Sequence, residues 1–172
     1  VKNVKFQFIY SVMSNLLSLV PVGKLEFNVF DITNHGNSIS PFFGAKKMLP
    51  ALFNGNICIS KEQVADEIQQ LNQYVEDTIQ NILGTQYDNI IDYAVNTGSE
   101  MPKIHVLILF DFPKSLDEST LSALSNLVIY GRKCGIFVLI HGNDNTERYG
   151  RHTEYVTKIK EHCTQIGRQI SV

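Results

Sequence analysis

The stretch K-I-H-V-L-I-L-F-D-F-P, Lys103 to Pro113, constrains this chain more than any other. Its apolar residues are interrupted only by His105, run into Asp111 and stop at Pro113. A short, continuous apolar run marks a strand buried on both faces, as in a parallel sheet covered by helices. An acid at the end of such a strand stands at the carboxyl edge of the sheet, where open α/β folds bind their ligands. What Asp111 does there is the main question the sequence raises.

Around this strand the chain alternates between two periods. Val4, Phe8, Val12, Leu16 and Leu19 fall on one face of a helix that Pro21 and Gly23 end. Leu25 to Ile32 alternates, with Leu25, Phe27 and Val29 on one side, and this strand also reaches an acid, Asp31. Thr33 to Ser40 is a polar loop, Pro41 to Pro50 an irregular or briefly helical stretch, and Ile57 to Ile59 a possible short strand. Ser60 and Gln63 have capping-box spacing and open a long helix. Its stripe is Val64, Ile68, Leu71, Val75, Ile79 and Ile82, and Gly84 closes it. A shorter helix is expected from Asp88 to Asn96.

Beyond Pro113, Ser115 and Glu118 repeat the capping spacing ahead of a helix carrying Leu121, Leu124, Leu127 and Val128. Gly135 to Ile140 reads as another buried strand, Thr153 to Ile166 as a last helix, and Gln169 to Val172 as a terminal strand. These elements predict one α/β domain over residues 1–172, a three-layer sandwich on a mostly parallel sheet.

Bulk properties narrow the function. The net charge of −2 gives no global basic field for nucleic acid or anionic lipid. Cys58, Cys134 and Cys163 are few and widely spaced, which fits reduced thiols in a cytoplasmic protein rather than a disulfide framework. No run approaches the roughly 18 apolar residues of a membrane helix. The abrupt start at Val1 suggests a piece of a longer protein.

The chemistry-bearing residues are few. An apolar strand ending in Asp is how P-loop ATPases hold Mg²⁺, but here a water-activating acid does not follow: the next residue is Phe112. No G-x-x-x-x-G-K-[S/T] occurs in the chain, so it contains no such phosphate cradle. A carboxylate before a proline also makes turns and caps, and the residues alone favour that role for Asp111. Cys134 and His141 stand at opposite ends of one strand, roughly 20 Å apart at about 3.3 Å per residue, too far to form a nucleophile pair. The five histidines have no metal-ligand spacing. From Arg132 onward the charge balance is +3, and the loop N-D-N-T-E-R-Y-G-R-H offers Arg148, Tyr149 and Arg151 as candidate contacts to phosphates and bases.

Taken together, three stretches resemble the FtsK/SpoIIIE-type DNA translocase ATPases: Ser14 to Ile32, Ile104 to Pro113, and Tyr130 to Ile140 (Y-G-R-K-C-G-I-F-V-L-I). The resemblance covers roughly Val4 to Asn145. It implies a P-loop NTPase (RecA-like) sheet, possibly incomplete at its N-terminal side, with Asp111 as a vestigial Walker B acid and Asn143 at the sensor position. It further implies a degenerate, non-hydrolysing module that itself needs no cofactor, whereas the intact family uses Mg-ATP. The implied partners are double-stranded DNA, reached through the parent protein, an adjacent ATPase module, and further copies of the chain joined at sheet edges. Two alternatives stay open. One is an active ATPase whose P-loop lies upstream of Val1; the other is a plain DNA-binding or interaction module using Arg148, Tyr149 and Arg151.

Overall fold

The computed structural model describes residues 6–53, 57–142 and 153–166. Three strands, β1 (Leu25–Phe30), β2 (Ile104–Phe112) and β3 (Ile136–Gly142), form one parallel sheet in the order β1-β2-β3. The apolar run around Leu107 is therefore the central strand. Val106 to Phe110 are all buried, because β2 has neighbours on both sides and covered faces above and below.

Six helices accompany the sheet: α1 (Gln7–Leu19), α2 (Phe43–Met48), α3 (Lys61–Thr78), α4 (Ile90–Thr97), α5 (Glu118–Tyr130) and α6 (Thr153–Glu161). The strands advance in one direction across the sheet. Crossovers of one hand then place α3 and α4, between β1 and β2, and α5, between β2 and β3, on the same face. That face buries Leu107, Leu109 and Ile136 against Val64, Ile68 and Val75 of α3, Leu121 and Leu124 of α5, and Val156 and Ile159 of α6. The other face buries Phe27, Val29, Ile108 and Phe110 under Phe6, Ile9 and Met13 at α1, with Ile39 and Phe53 from the segment after β1. The result is an α/β domain with helices on both faces of a small open sheet. Among the described residues no helix is long and apolar enough to cross a membrane.

The local signals explain most boundaries. The capping box at Ser60 forms as its spacing requires: Ser60 Oγ accepts from the Gln63 amide at 3.3 Å, and Gln63 Oε1 accepts from the Ser60 amide at 3.2 Å. Asn89 caps α4 by accepting from the Ile91 and Asp92 amides, and Gly98 ends it at φ +68°. Ile57 to Ile59 contributes one parallel bridge, Phe30 to Cys58, beside β1.

Five expectations need correction. The buried side of α1 is Ile9 and Met13, with Phe6 just before the helix; Phe8 and Leu19 are exposed, because the helix lies rotated from the stripe read off its larger side chains. The last turn of the long helix widens to i→i+5 bonding over Ile79–Leu83, which advances the phase by one residue. Leu83 is thereby buried, and Ile82 turns outward. The cap of α5 is Asp117, whose Oδ1 accepts from the Thr120 amide at 2.8 Å, rather than Ser115, which adopts φ +71° in the preceding turn. Finally, α6 stops at Glu161, short of Ile166, and β1 stops at Phe30, short of Ile32. The expected terminal strand from Gln169 to Val172 lies outside the described residues.

Candidate functional site

Two regions qualify, at opposite edges of the sheet. At the carboxyl edge, β2 breaks its register between Leu109 and Phe112, and Asp111 occupies the irregularity at φ +56°. Asp tolerates this left-handed conformation better than most residues, though still at a cost. Asp111 Oδ1 lies 3.8 Å from Nδ1 of His141, near the end of β3, and both side chains are about four-fifths buried. The His141 ring meets Phe6 edge-on at 4.8 Å, and Phe6 meets Phe110 in the same way at 4.8 Å. Asp111 and His141 thus stand together within an aromatic surround, a pairing the sequence reading did not anticipate.

Asp31, at the end of β1, is fully buried and serves the backbone. Its Oδ1 accepts from the Asn34 amide, its Oδ2 from the Ser38 amide and its carbonyl from the Gly36 amide. This Asx-type turn folds the loop after β1 back toward α1, where Tyr10 donates its hydroxyl proton to the Ser38 carbonyl. Burial, and then the nearby Asp31 charge, raise the Tyr10 pKa. Asp31 is a loop-building acid.

At the carboxyl edge the described residues enclose only a small cavity. The cavity lined by Phe30, Leu109, Phe112 and Leu116 is about 10 Å³, room for a single water. Phe112, which stands where a catalytic acid would be expected, is 4% exposed and packs into the core on the α3 and α5 face. Gly142 lies so close that a Cβ there would come within 2.7 Å of the Phe112 carbonyl oxygen. Among the described residues no group of three His, Cys, Asp or Glu side chains could hold a metal ion. Asn143, Arg148, Tyr149 and Arg151 lie outside the described residues. Cys134 is buried beneath α3, its thiol directed to the Val75 carbonyl, and burial raises its pKa to about 11, the reverse of an activated nucleophile.

The second region, at the amino edge, escaped the sequence reading. Glu26 on β1 and His105 on β2 are register partners in adjacent parallel strands, so their side chains leave the same face side by side. Glu26 Oε1 lies 3.2 Å from His105 Nδ1, and Glu26 Oε2 accepts from Lys103 Nζ at 2.9 Å. The Asn28 amide reaches Glu67 of α3 at 2.7 Å and Glu26 at 3.5 Å. Burial would raise the Glu26 pKa, but hydrogen bonds from His105 and Lys103, together with their charge, outweigh it and hold the carboxyl at about 2. Beside this cluster, between β2, α4 and the end of α3, is a cavity of about 530 Å³. The available signal was the pair of polar residues Glu26 and Asn28 in β1, facing the one polar residue of the run in β2.

Comparison with protein-family models, with curated proteins and with solved structures finds no match for the chain. Among the described residues, fold and site together define an α/β domain on a three-stranded parallel sheet, with a closed carboxyl edge and an open amino edge.

Proposed function

We propose that the chain is a non-hydrolysing FtsK/SpoIIIE-like module, acting as a structural or regulatory partner of an adjacent ATPase motor in a DNA translocase. One observation carries this reading. Asp111 lies at the carboxyl end of the central strand of a parallel sheet, and Phe112, the last residue of that strand, is locked into the core beside it. A packed phenyl ring can neither polarise water nor be displaced cheaply, since burying a large aromatic side chain stabilises by about 3 kcal/mol or more. On this reading the strand would retain the metal-site acid of a motor sheet without the group that would drive hydrolysis.

Isothermal titration of the chain with Mg-ATP tests the reading. The expected result is no saturable heat at millimolar nucleotide. Saturable 1:1 binding that Asp111→Asn abolishes would overturn it in favour of a nucleotide-binding module.

A further inference from the structure

The amino-edge cavity is independent of the nucleotide reading and lies at the other end of the strands from Asp111. Its volume of about 530 Å³ falls within the range of small-molecule sites, roughly 300–1,000 Å³. Ile82, Ile90, Ala94 and Pro102 supply apolar surface, and Tyr74 and Tyr93 supply aromatic walls. Both rings are already braced: Tyr93 meets Tyr87 edge-on at 5.2 Å, and Tyr74 lies 5.4 Å from the His105 ring. Such surfaces favour a planar, mostly apolar occupant, which can stack or pack edge-on.

The polar end of the cavity determines the functional group. Glu26 is ionised through the neutral pH range and can only accept hydrogen bonds. In the neutral imidazole its contact with His105 therefore fixes the proton on Nδ1 and leaves Nε2 as the acceptor. Lys103, the lysine at this end, is ion-paired with Glu26. Glu100, at the mouth, is paired with Lys24 at 2.8 Å. With both of these charges met, the group presented by an oriented side chain is the imidazole acceptor. A carboxylate holding a histidine in one tautomer beside a ligand-sized cavity is an arrangement that packing alone does not require.

We propose that this cavity binds a small aromatic molecule bearing a hydroxyl group, its ring between Tyr74 and Tyr93 and its O–H donated to His105 Nε2. The Glu26 carboxylate is the positioning group for that histidine. Backbone stiffness supports the assignment, because His105 and Glu26 sit on paired strands and keep their geometry whether or not the cavity is filled.

The test uses three probes of one shape: 2-naphthol, 2-methoxynaphthalene, which lacks the donor, and 2-naphthoate, which carries an anion. Binding to the whole chain is followed by calorimetry and by NMR shifts of the His105 and Tyr93 rings. The expected result is saturable 1:1 binding of 2-naphthol, about fivefold or more tighter than either of the others, consistent with one added hydrogen bond. His105→Phe, which keeps a ring but removes the acceptor, should erase that preference, and Ala94→Leu, which fills the cavity without touching the polar end, should abolish binding of all three. Equal affinities in the wild-type chain, preference for the naphthoate, or shifts that bypass His105 and Tyr93 would each overturn the proposal. The wild-type probe series decides the matter even where a variant fails to fold.

Discussion

The two edges of the sheet invert the usual arrangement of a parallel α/β domain. Ligands in such folds bind outside the carboxyl ends of the strands, where the loops diverge. Here the carboxyl edge is filled by Phe6, Phe110 and Phe112, with Asp111 and His141 set among them. The amino edge, which ordinarily only closes the core, holds both the ligand-sized cavity and the most strongly perturbed carboxylate, Glu26. The contrast between Asp111 and Glu26 shows why position at a strand end is a weak guide to chemistry. Asp111 lies 3.8 Å from its histidine, beyond hydrogen-bond reach, whereas Glu26 lies 3.2 Å from the His105 ring nitrogen and 2.9 Å from the Lys103 ammonium.

The comparison can be broken in order of expected effect. The largest is at Phe112. Phe112→Glu should lower stability by about 4 kcal/mol, because it removes a core ring and buries a charge with no partner. Urea unfolding would read the loss. A variant as stable as the parent would mean that this edge opens readily, and the closed-edge description would fail.

Next comes Glu26. Glu26→Gln should cost about 2 kcal/mol; the range for breaking a buried pair is larger, but Lys103 is partly solvated. The pH dependence gives the sharper measurement. The folded-state pKa of Glu26 lies below its ordinary value, so its stabilisation is fully present above about 4.5 and is lost as the pH falls toward about 2. Thermal melts over that window should show a steeper acid decline in the parent than in Glu26→Gln. Parallel declines in the two proteins would contradict the network.

Asp111→Asn should have the smallest effect, within about 0.5 kcal/mol, because Asn tolerates the same positive φ and the contact to His141 is long. A loss of 2 kcal/mol or more in a chemical melt would move the energetic weight to the carboxyl edge and erase the asymmetry.

Much of the fold was legible in the sequence, because periodicity reports burial. The apolar run of β2 specified a central strand, the alternation from Leu25 specified β1, and the spacing of Ser60 and Gln63 fixed the start of α3 to the residue. Errors arose where two local solutions were nearly equivalent. Asp117 and Ser115 are both competent caps, and only the turn after Pro113 selects Asp117. Ile82 and Leu83 are both apolar, and the widened turn at the end of α3 decides which is buried. At the candidate sites, the sequence offered Asp111 because a carboxylate after an apolar run stands out. It could not offer Glu26, which reads as the solvent side of an alternating strand.

The sequence by itself therefore determined the class of this domain, the identity of its central strand and the absence of a phosphate-binding loop from the chain. Those properties depend on residue type and on spacing within a few positions, where backbone geometry is fixed. Only the tertiary structure decided that Glu26 meets His105, 79 residues away, and that Phe112 closes the edge to which Asp111 points attention. Register between parallel strands is set by the packing of both faces and by the crossover between them, and neither is encoded in the local pattern of either strand.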